Sequence, residues 1–508
     1  MIRPTLNLWL YTFDEPNDAE NAWQRVLRVK GVLAARARAA RELALVEPEA
    51  ADIAAELDGV RKELASVVFT DVPPEERAEK DTAANVLAAK QEELERKLLR
   101  LSGRHRESNA TRDATPAALC KALPDDTAVV DFFRYRANIE DRYLAFVMRS
   151  DCVVHRVELG MADAIENAAR EWQRGLRDSS IAPFRLHRRG SELATLVWDP
   201  LEAIARDDFH WMLVADGPLA TVPFGALPTQ DGYAVERHLI TYLDRANDLA
   251  KPTGGYAGRG GLVVGGVDYN LRAAPGAESS RSFLAPCNNG AFAPLPGTLV
   301  ETENVGSLWK RARRREPLAT LSGTEATEAA VGEAMEGKAL AHIATHGFFA
   351  TGECKNAVDH GLGHDPMLLS GLVLAGANQP PDPTASGDGV LTAAEMATRD
   401  LSETGVVVLS ACETGLGETR SGQGVLGLRR AFSIAGARTL LMSLWAIPDE
   451  STAVLMSGIY RRHLRRRPAP IAVALRDAQL EVLERQRRDG VAQPYSWAAF
   501  IVSGDWTI

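Results

Sequence analysis

From residue 259 to the C-terminus, short continuous apolar runs alternate with amphipathic segments, and this alternation constrains the fold most. The runs are Gly261 to Val267, Ala339 to Thr345, Gly405 to Ala411, Thr439 to Leu444 and Ala498 to Ser503. Between them the spacing predicts helices over 299–314, 424–435, 451–464 and 470–487. Apolar strands of about four to eight residues without polar alternation belong to sheets buried on both faces. Helices between successive strands make such a sheet mostly parallel. The expected fold class is α/β, a mostly parallel sheet between two helical layers.

A second stretch of the same kind lies upstream. Thr127 to Phe133, Arg142 to Met148, Cys152 to Val157 and Trp211 to Ala215 are rich in β-branched and aromatic residues and read as strands. Helices are expected at 162–177 and 190–205, and a Gly-rich break follows at 254–261. Residues 18–105 read as helices. Ile53, Leu57, Val60, Leu64 and Val67 fall on one helix face, as do Leu87, Leu94, Leu98 and Leu101. An earlier helix carries Val26, Leu33 and Ala40 seven apart, and Pro73-Pro74 separates two helices. The expected organisation has three parts. Residues 1–110 form a helical hairpin or bundle, coiled-coil-like and suited to docking or regulation. Residues 115–258 form an accessory α/β subdomain, and 259–508 the main α/β domain. Two stretches, 268–297 and 350–390, resist assignment to elements. Loops this long are functional or disordered.

Composition narrows the function. With 58 Lys and Arg against 68 Asp and Glu, the formal charge is −10. A mildly acidic chain is a poor non-specific nucleic-acid binder, so no direct nucleic-acid partner is expected. Solvated helix ends account for the basic clusters 310–315 and 461–467. No run of 18 apolar residues occurs, so no membrane span is expected. The N-terminus lacks the layout of a signal peptide. Five cysteines (120, 152, 287, 354 and 412) make an odd count with no CxxC. This excludes a disulfide framework as the organising principle and points to a reducing, cytoplasmic compartment, with ordinary thiols at 120, 152, 287 and 354.

Ligands of open α/β sheets bind beyond the carboxyl ends of the strands. The run Ala339 to Thr345 leads into His346-Gly347, and the run Gly405 to Ala411 into Cys412-Glu413. A thiol and an imidazole on one sheet edge are the minimum for nucleophilic catalysis. His346 would serve as base and acid, and the amides of Gly347 and Cys412 would form an oxyanion hole. His342, four residues back along its strand, reads as a packing or supporting residue. The competing reading makes Cys412 a buried structural thiol and His346 a loop histidine with its bonds satisfied. Other signals are weaker. Gly422 to Gly427 matches GxGxxG, but no strand ends just before it, so no dinucleotide cofactor is expected. Cys354, His360 and His364 lack the spacing of a zinc site, so no metal is expected. No GxxxxGK[ST], HExxH or GxSxG is present, and Ser443 sits in a strand without a nucleophile's context.

The segments HIATHGFF (342–349), SGLVLAGAN (370–378), VVLSACETGLG (407–417), 422–460 and 474–506 closely resemble the CHAT domain, of the caspase-like and separase-like cysteine proteases of clan CD. VADGPLATVPFGALP (214–228) is similar to that family's N-terminal signature. No tetratricopeptide repeats, common before this domain, are recognisable. The resemblance implies a caspase-like α/β/α sandwich and a Cys–His dyad at Cys412 and His346, with Gly347 as the oxyanion glycine. It implies a cysteine endopeptidase cutting a specific protein, a switch in bacterial signalling, programmed cell death or anti-phage defence, with an activating partner or sensor. On this resemblance 115–258 is a candidate degenerate caspase-like domain. Asp449 would line a pocket for a basic residue before the scissile bond, with Glu413 as a further lining acid. Acids at a helix N-terminus are an equally simple reading of Asp449. The rival function is a catalytically silent scaffold that recruits partners through its helical N-terminus.

Overall fold

A computed structural model describes residues 18–69, 72–73, 75–106, 115–250, 257–270, 291–349, 366–379, 387–411, 414–415 and 417–508. Helices come first: α1 (Ala19–Val29), α2 (Val32–Ala44), α3 (Pro48–Phe69), α4 (Arg77–Arg106) and the short α5 (Pro116–Ala122). Leu57 and Val60 are buried with Leu94 and Leu98 of α4, as the spacing predicts, while Leu64 on the same face enters the main core. The expected helix through Val26, Leu33 and Ala40 is corrected to two helices. Gly31 stands between α1 and α2 at φ +66°. That conformation ends a right-handed helix and costs glycine nothing. Val26 and Ala40 consequently serve different cores, and Leu33 is exposed.

Most of the remaining strands build one 11-stranded sheet. Its first strands are β1 (Thr127–Ala137), β2 (Glu140–Met148), β3 (Val154–Met161), β4 (His210–Val214) and β5 (Leu239–Tyr242). Between β3 and β4 run α6 (Ala162–Arg177), α7 (Pro183–Val197) and α8 (Asp199–Ala205). Beyond residue 257 come β6 (Gly261–Val267), α9 (Pro296–Ala312), β7 (Leu318–Gly323), α10 (Glu328–Met335) and β8 (Leu340–Ala344). A small antiparallel sheet follows, β9 (His346–Phe349), β10 (Ser370–Val373) and β11 (Val390–Thr392). Then come β12 (Val406–Ser410), the hairpin β13 (Glu418–Arg420) and β14 (Gly424–Leu426), α11 (Leu428–Ala435) and β15 (Thr439–Ser443). The chain ends with α12 (Asp449–His463), α13 (Ile471–Arg488) and β16 (Phe500–Gly504).

The order across the large sheet is β3-β2-β1-β4-β5-β16-β15-β12-β8-β6-β7. Seven of the ten neighbouring pairs are parallel. Every residue of β4, β8, β12 and β15 is buried, which is why these strands read as unbroken apolar runs. Along β1, Ala128, Val130 and Phe132 enter one core while Val129 and Phe133 enter another with Trp23 and Val26 of α1. Helices therefore cover both faces. The C-terminal strand β16 lies between β5 and β15, so the two α/β segments share one sheet.

Two sequence expectations need correction. Cys120 and Cys152 are disulfide-bonded, with Cα atoms 5.4 Å apart, so they are not free thiols. Cys152 is exposed in a turn at φ +67°, ahead of β3 rather than inside it. The GxGxxG stretch opens a hairpin, not a helix: Gly422 and Gly424 adopt φ +73° and +76° around its turn, and α11 begins only at Leu428.

Candidate active site

Strands β8 and β12 are parallel neighbours in which Ala344 pairs with Ser410. His346 and Cys412 each lie two positions beyond that pair in sequence. Cys412 and Glu413 themselves lie outside the described residues, as do the side chain of Asp449 and all of Cys287, Cys354, His360 and His364. The flanks of Cys412 are described. The carbonyl of Ala411 accepts hydrogen bonds from Ser443 Oγ at 2.5 Å and Thr414 Oγ1 at 3.2 Å. The amide of Gly415 donates to the Ser443 carbonyl at 2.7 Å. A Cβ on Gly415 would lie 2.8 Å from Leu444 and 3.0 Å from that carbonyl. The chain on either side of Cys412 is thus tied to the end of β15, and only glycine fits at 415. Ser443, set aside as a nucleophile, emerges as the anchor of this turn.

His346 does not extend β8. It opens β9, opposite Val373 in the small sheet, and Gly347 sits opposite Leu372. Thr345 makes the change of sheet: its hydroxyl donates to the Val373 carbonyl at 2.5 Å and lies 3.0 Å from the Tyr269 hydroxyl. The imidazole packs between the rings of Tyr269 and Phe292, at centroid distances of 5.1 and 5.4 Å. His346 Nε2 lies 2.8 Å from the carbonyl of Ala293. A carbonyl only accepts, so Nε2 carries the proton and Nδ1 is the free base in the neutral ring. Burial lowers the pKa of His346 below its ordinary value, and the Ala293 carbonyl offsets part of that. Burial thus favours the uncharged ring, the state a general base requires.

His342 is fully buried, as a supporting role demands. Its Nδ1 is 2.8 Å from the Tyr460 hydroxyl on α12. Its Nε2 stands 3.2 Å from Glu301 Oε1 on α9, within ion-pair range but not aligned as a hydrogen bond. Asp449 is the first residue of α12.

One positioning residue escaped the sequence reading. Asn378 is buried, and its Oδ1 accepts from the Phe292 amide at 2.7 Å while its Nδ2 donates to the Phe292 carbonyl at 2.9 Å. Its own amide donates to the Tyr269 carbonyl at 2.9 Å. Asn378 thus fixes both rings that hold His346 and the segment whose next carbonyl, Ala293, binds Nε2. Its place at the end of the SGLVLAGAN segment was the available signal.

A mostly parallel α/β sheet with a histidine just past the end of a strand that has parallel neighbours on both sides is the layout of α/β proteins whose site lies on the carboxyl edge. Within that class the chain belongs to the CHAT domain family, whose model matches residues 187–505, more than half of it. Two solved structures of the Saccharomyces cerevisiae separase–securin complex are similar at 8% identity, with TM-scores of 0.44 and 0.46. They cover 86% and 84% of this chain, which spans only 34% and 33% of theirs. The complex of pro- and mature domains of Porphyromonas gingivalis RgpB is similar at 12% identity and a TM-score of 0.36, covering 68% of this chain and 76% of that one. No curated protein matches the chain. No described helix is long and apolar enough to cross a membrane.

Proposed function

We propose that the chain is a cysteine endopeptidase in which Cys412 and His346 form the catalytic dyad. The observation that supports this most is the tautomer of His346: Nε2 is committed to Ala293, which makes Nδ1 the basic nitrogen, in a residue just past the edge where β8 and β12 end together. In the proposed cycle Nδ1 takes the thiol proton and the sulfur attacks the peptide carbonyl carbon. The amides of Gly347 and Cys412 hold the oxyanion. The imidazolium then gives its proton to the leaving amine nitrogen as the C–N bond breaks, leaving a thioester. Water attacks that thioester, yields its proton to Nδ1, and releases a carboxylic acid and the thiol.

Asp449 and Glu413 belong to the proposal as acids lining the pocket for a basic residue before the scissile bond, where a charge-assisted contact would select it. The substrate class is a specific protein, cut once or a few times as a switch in bacterial signalling, cell death or defence. The helical residues 1–110 are proposed as the docking and regulatory region, 115–258 as its accessory α/β support and 259–508 as the protease unit. A cytoplasmic location is part of the proposal, because a reducing compartment keeps the nucleophile a thiol. The Cys120–Cys152 bond is the observation that pulls the other way. Mapping new protein termini in host lysate with and without the protein tests the reading. Termini made by the wild type should vanish with both Cys412→Ala and His346→Ala, and termini that persist with both would refute the dyad.

A further inference from the structure

The signature at 214–228 has no part in the dyad, yet it reaches the segment that follows Cys412. Asp216, just beyond β4, is fully buried. Three backbone amides converge on its carboxylate: Gly217 at 2.9 Å and Gly422 at 2.7 Å on Oδ1, and Arg134 at 3.0 Å on Oδ2. Gly422 is the turn of the β13–β14 hairpin, ten residues after Cys412. The same hairpin packs on the 3₁₀ turn Gly217–Thr221 of the signature. The carbonyl of Gly422 is held too, by the Gly31 amide at 2.8 Å.

Gly31 is the hinge between α1 and α2, and it is fitted to glycine. Besides its positive φ, a Cβ there would fall 2.5 Å from the Arg245 side chain. The preceding residue bolts the hinge down. Lys30 is only 4% exposed, and its Nζ donates to Asp131 Oδ1 at 2.6 Å and to the carbonyls of Phe132 at 2.5 Å and Val214 at 2.8 Å. The Asp131 carboxylate also accepts from Trp23 Nε1 of α1 at 2.9 Å. The helical region therefore caps the carboxyl end of β4 and the middle of β1 beside it, and from there it grips the hairpin beyond Cys412. The near end of the same segment is pinned at Gly415 by Ser443.

We propose that Asp216 and the Lys30–Gly31 hinge are positioning residues for the nucleophile's loop, holding Gly422 by both its backbone groups. Residues 18–44 are then coupled mechanically to the chain that carries Cys412, and the hinge is the route by which the helical region controls the site. This rests on Cys412 being the nucleophile. Disruption of the grip leaves the dyad's residues intact but misplaces one of them.

Hydrogen exchange and covalent labelling test the proposal together. In the wild type the Gly422 amide should be among the slowly exchanging ones. Asp216→Asn keeps the side chain's volume and removes its charge. It should speed exchange at Gly422 about tenfold or more, the scale of one charge-assisted hydrogen bond. It should also slow the inactivation step of a peptide electrophile at Cys412 about tenfold, measured well below the variant's melting transition, with the alkylation of Cys287 and Cys354 unchanged. Lys30→Met combined with Asp131→Asn, which returns much of the stability that Lys30→Met alone loses, should act in the same direction on both readouts. A rapidly exchanging Gly422 in the wild type would overturn the grip, and needs no variant to fold. Unchanged exchange and unchanged inactivation in Asp216→Asn would overturn it as well. A Gly422 amide that is protected in the wild type and released in the variants, in a protein whose Cys412 never reacts, would refute the nucleophile and keep the grip.

Discussion

Asn378 shows how much a single amide can decide. It has no contact with the reacting atoms. It holds Phe292 and Tyr269, and through them the carbonyl that fixes the tautomer of His346. Asn378→Ala should slow reaction of Cys412 with a peptide electrophile about tenfold, the order expected when general-base catalysis is partly lost. The pH profile should move as well. The Ala293 carbonyl raises the His346 pKa, so a weakened contact lowers it further and shifts the acid limb of labelling to lower pH. A profile that only drops in height, without that shift, would make Asn378 a packing residue. His346 was legible in the sequence because a polar residue beyond an apolar strand is conspicuous. Asn378, Ser443 and Ala293 were not, because their roles lie in backbone contacts between segments 32 to 86 residues apart.

At the scale of elements, the buried strands and long amphipathic helices were readable, and the short or edge elements were not. The limits of β6 and α6 match the expected Gly261 to Val267 and 162–177. Full burial writes an unbroken apolar run, and one-sided burial writes a helical period. Strand β7 is the sheet's edge and none of its residues is fully buried, so it left neither signal. Strands β9, β10 and β11 are three or four residues long and sit among glycines, so they read as loop. The α1–α2 hinge was hidden by an accident of spacing, because Val26, Leu33 and Ala40 keep a heptad across a break. Its energetics follow from the buried Lys30–Asp131 pair, at 4% and 1% exposure. Lys30→Met alone strands a buried carboxylate and should destabilise the fold by about 3–5 kcal/mol. Adding Asp131→Asn should return much of that loss. Denaturant unfolding of both single variants and the double variant measures the coupling, and additive losses would contradict it.

The described residues are built round one large sheet with helices on both faces, and their pH response sums groups of opposite sign. Burial lowers His210 and His238 to about 4, so their protonation favours unfolding, and stability falls as pH drops from 6.5 towards 4. Burial raises Asp388 to about 6, and burial together with neighbouring carboxylates raises Glu328 and Glu395 above the ordinary range. The fold keeps protons on these acids that the unfolded chain has shed, so their contribution is lost as pH rises through the folded values. Glu328 Oε2 is buried without a hydrogen-bond partner. Glu328→Gln should therefore stabilise the protein more at pH 8 than at pH 5, by a difference of about 1–3 kcal/mol. Equal effects at both pH values would contradict the assignment. The proposed site lies at one place on this sheet, where β8 and β12 end side by side. Its most direct test is mass spectrometry of the protein after reaction with a peptide bearing a C-terminal electrophile. The account predicts one adduct, on Cys412, formed far more slowly in His346→Ala. Labelling of Cys412 at the same rate with and without His346, or labelling of Cys287 and Cys354 as readily as Cys412, would contradict it.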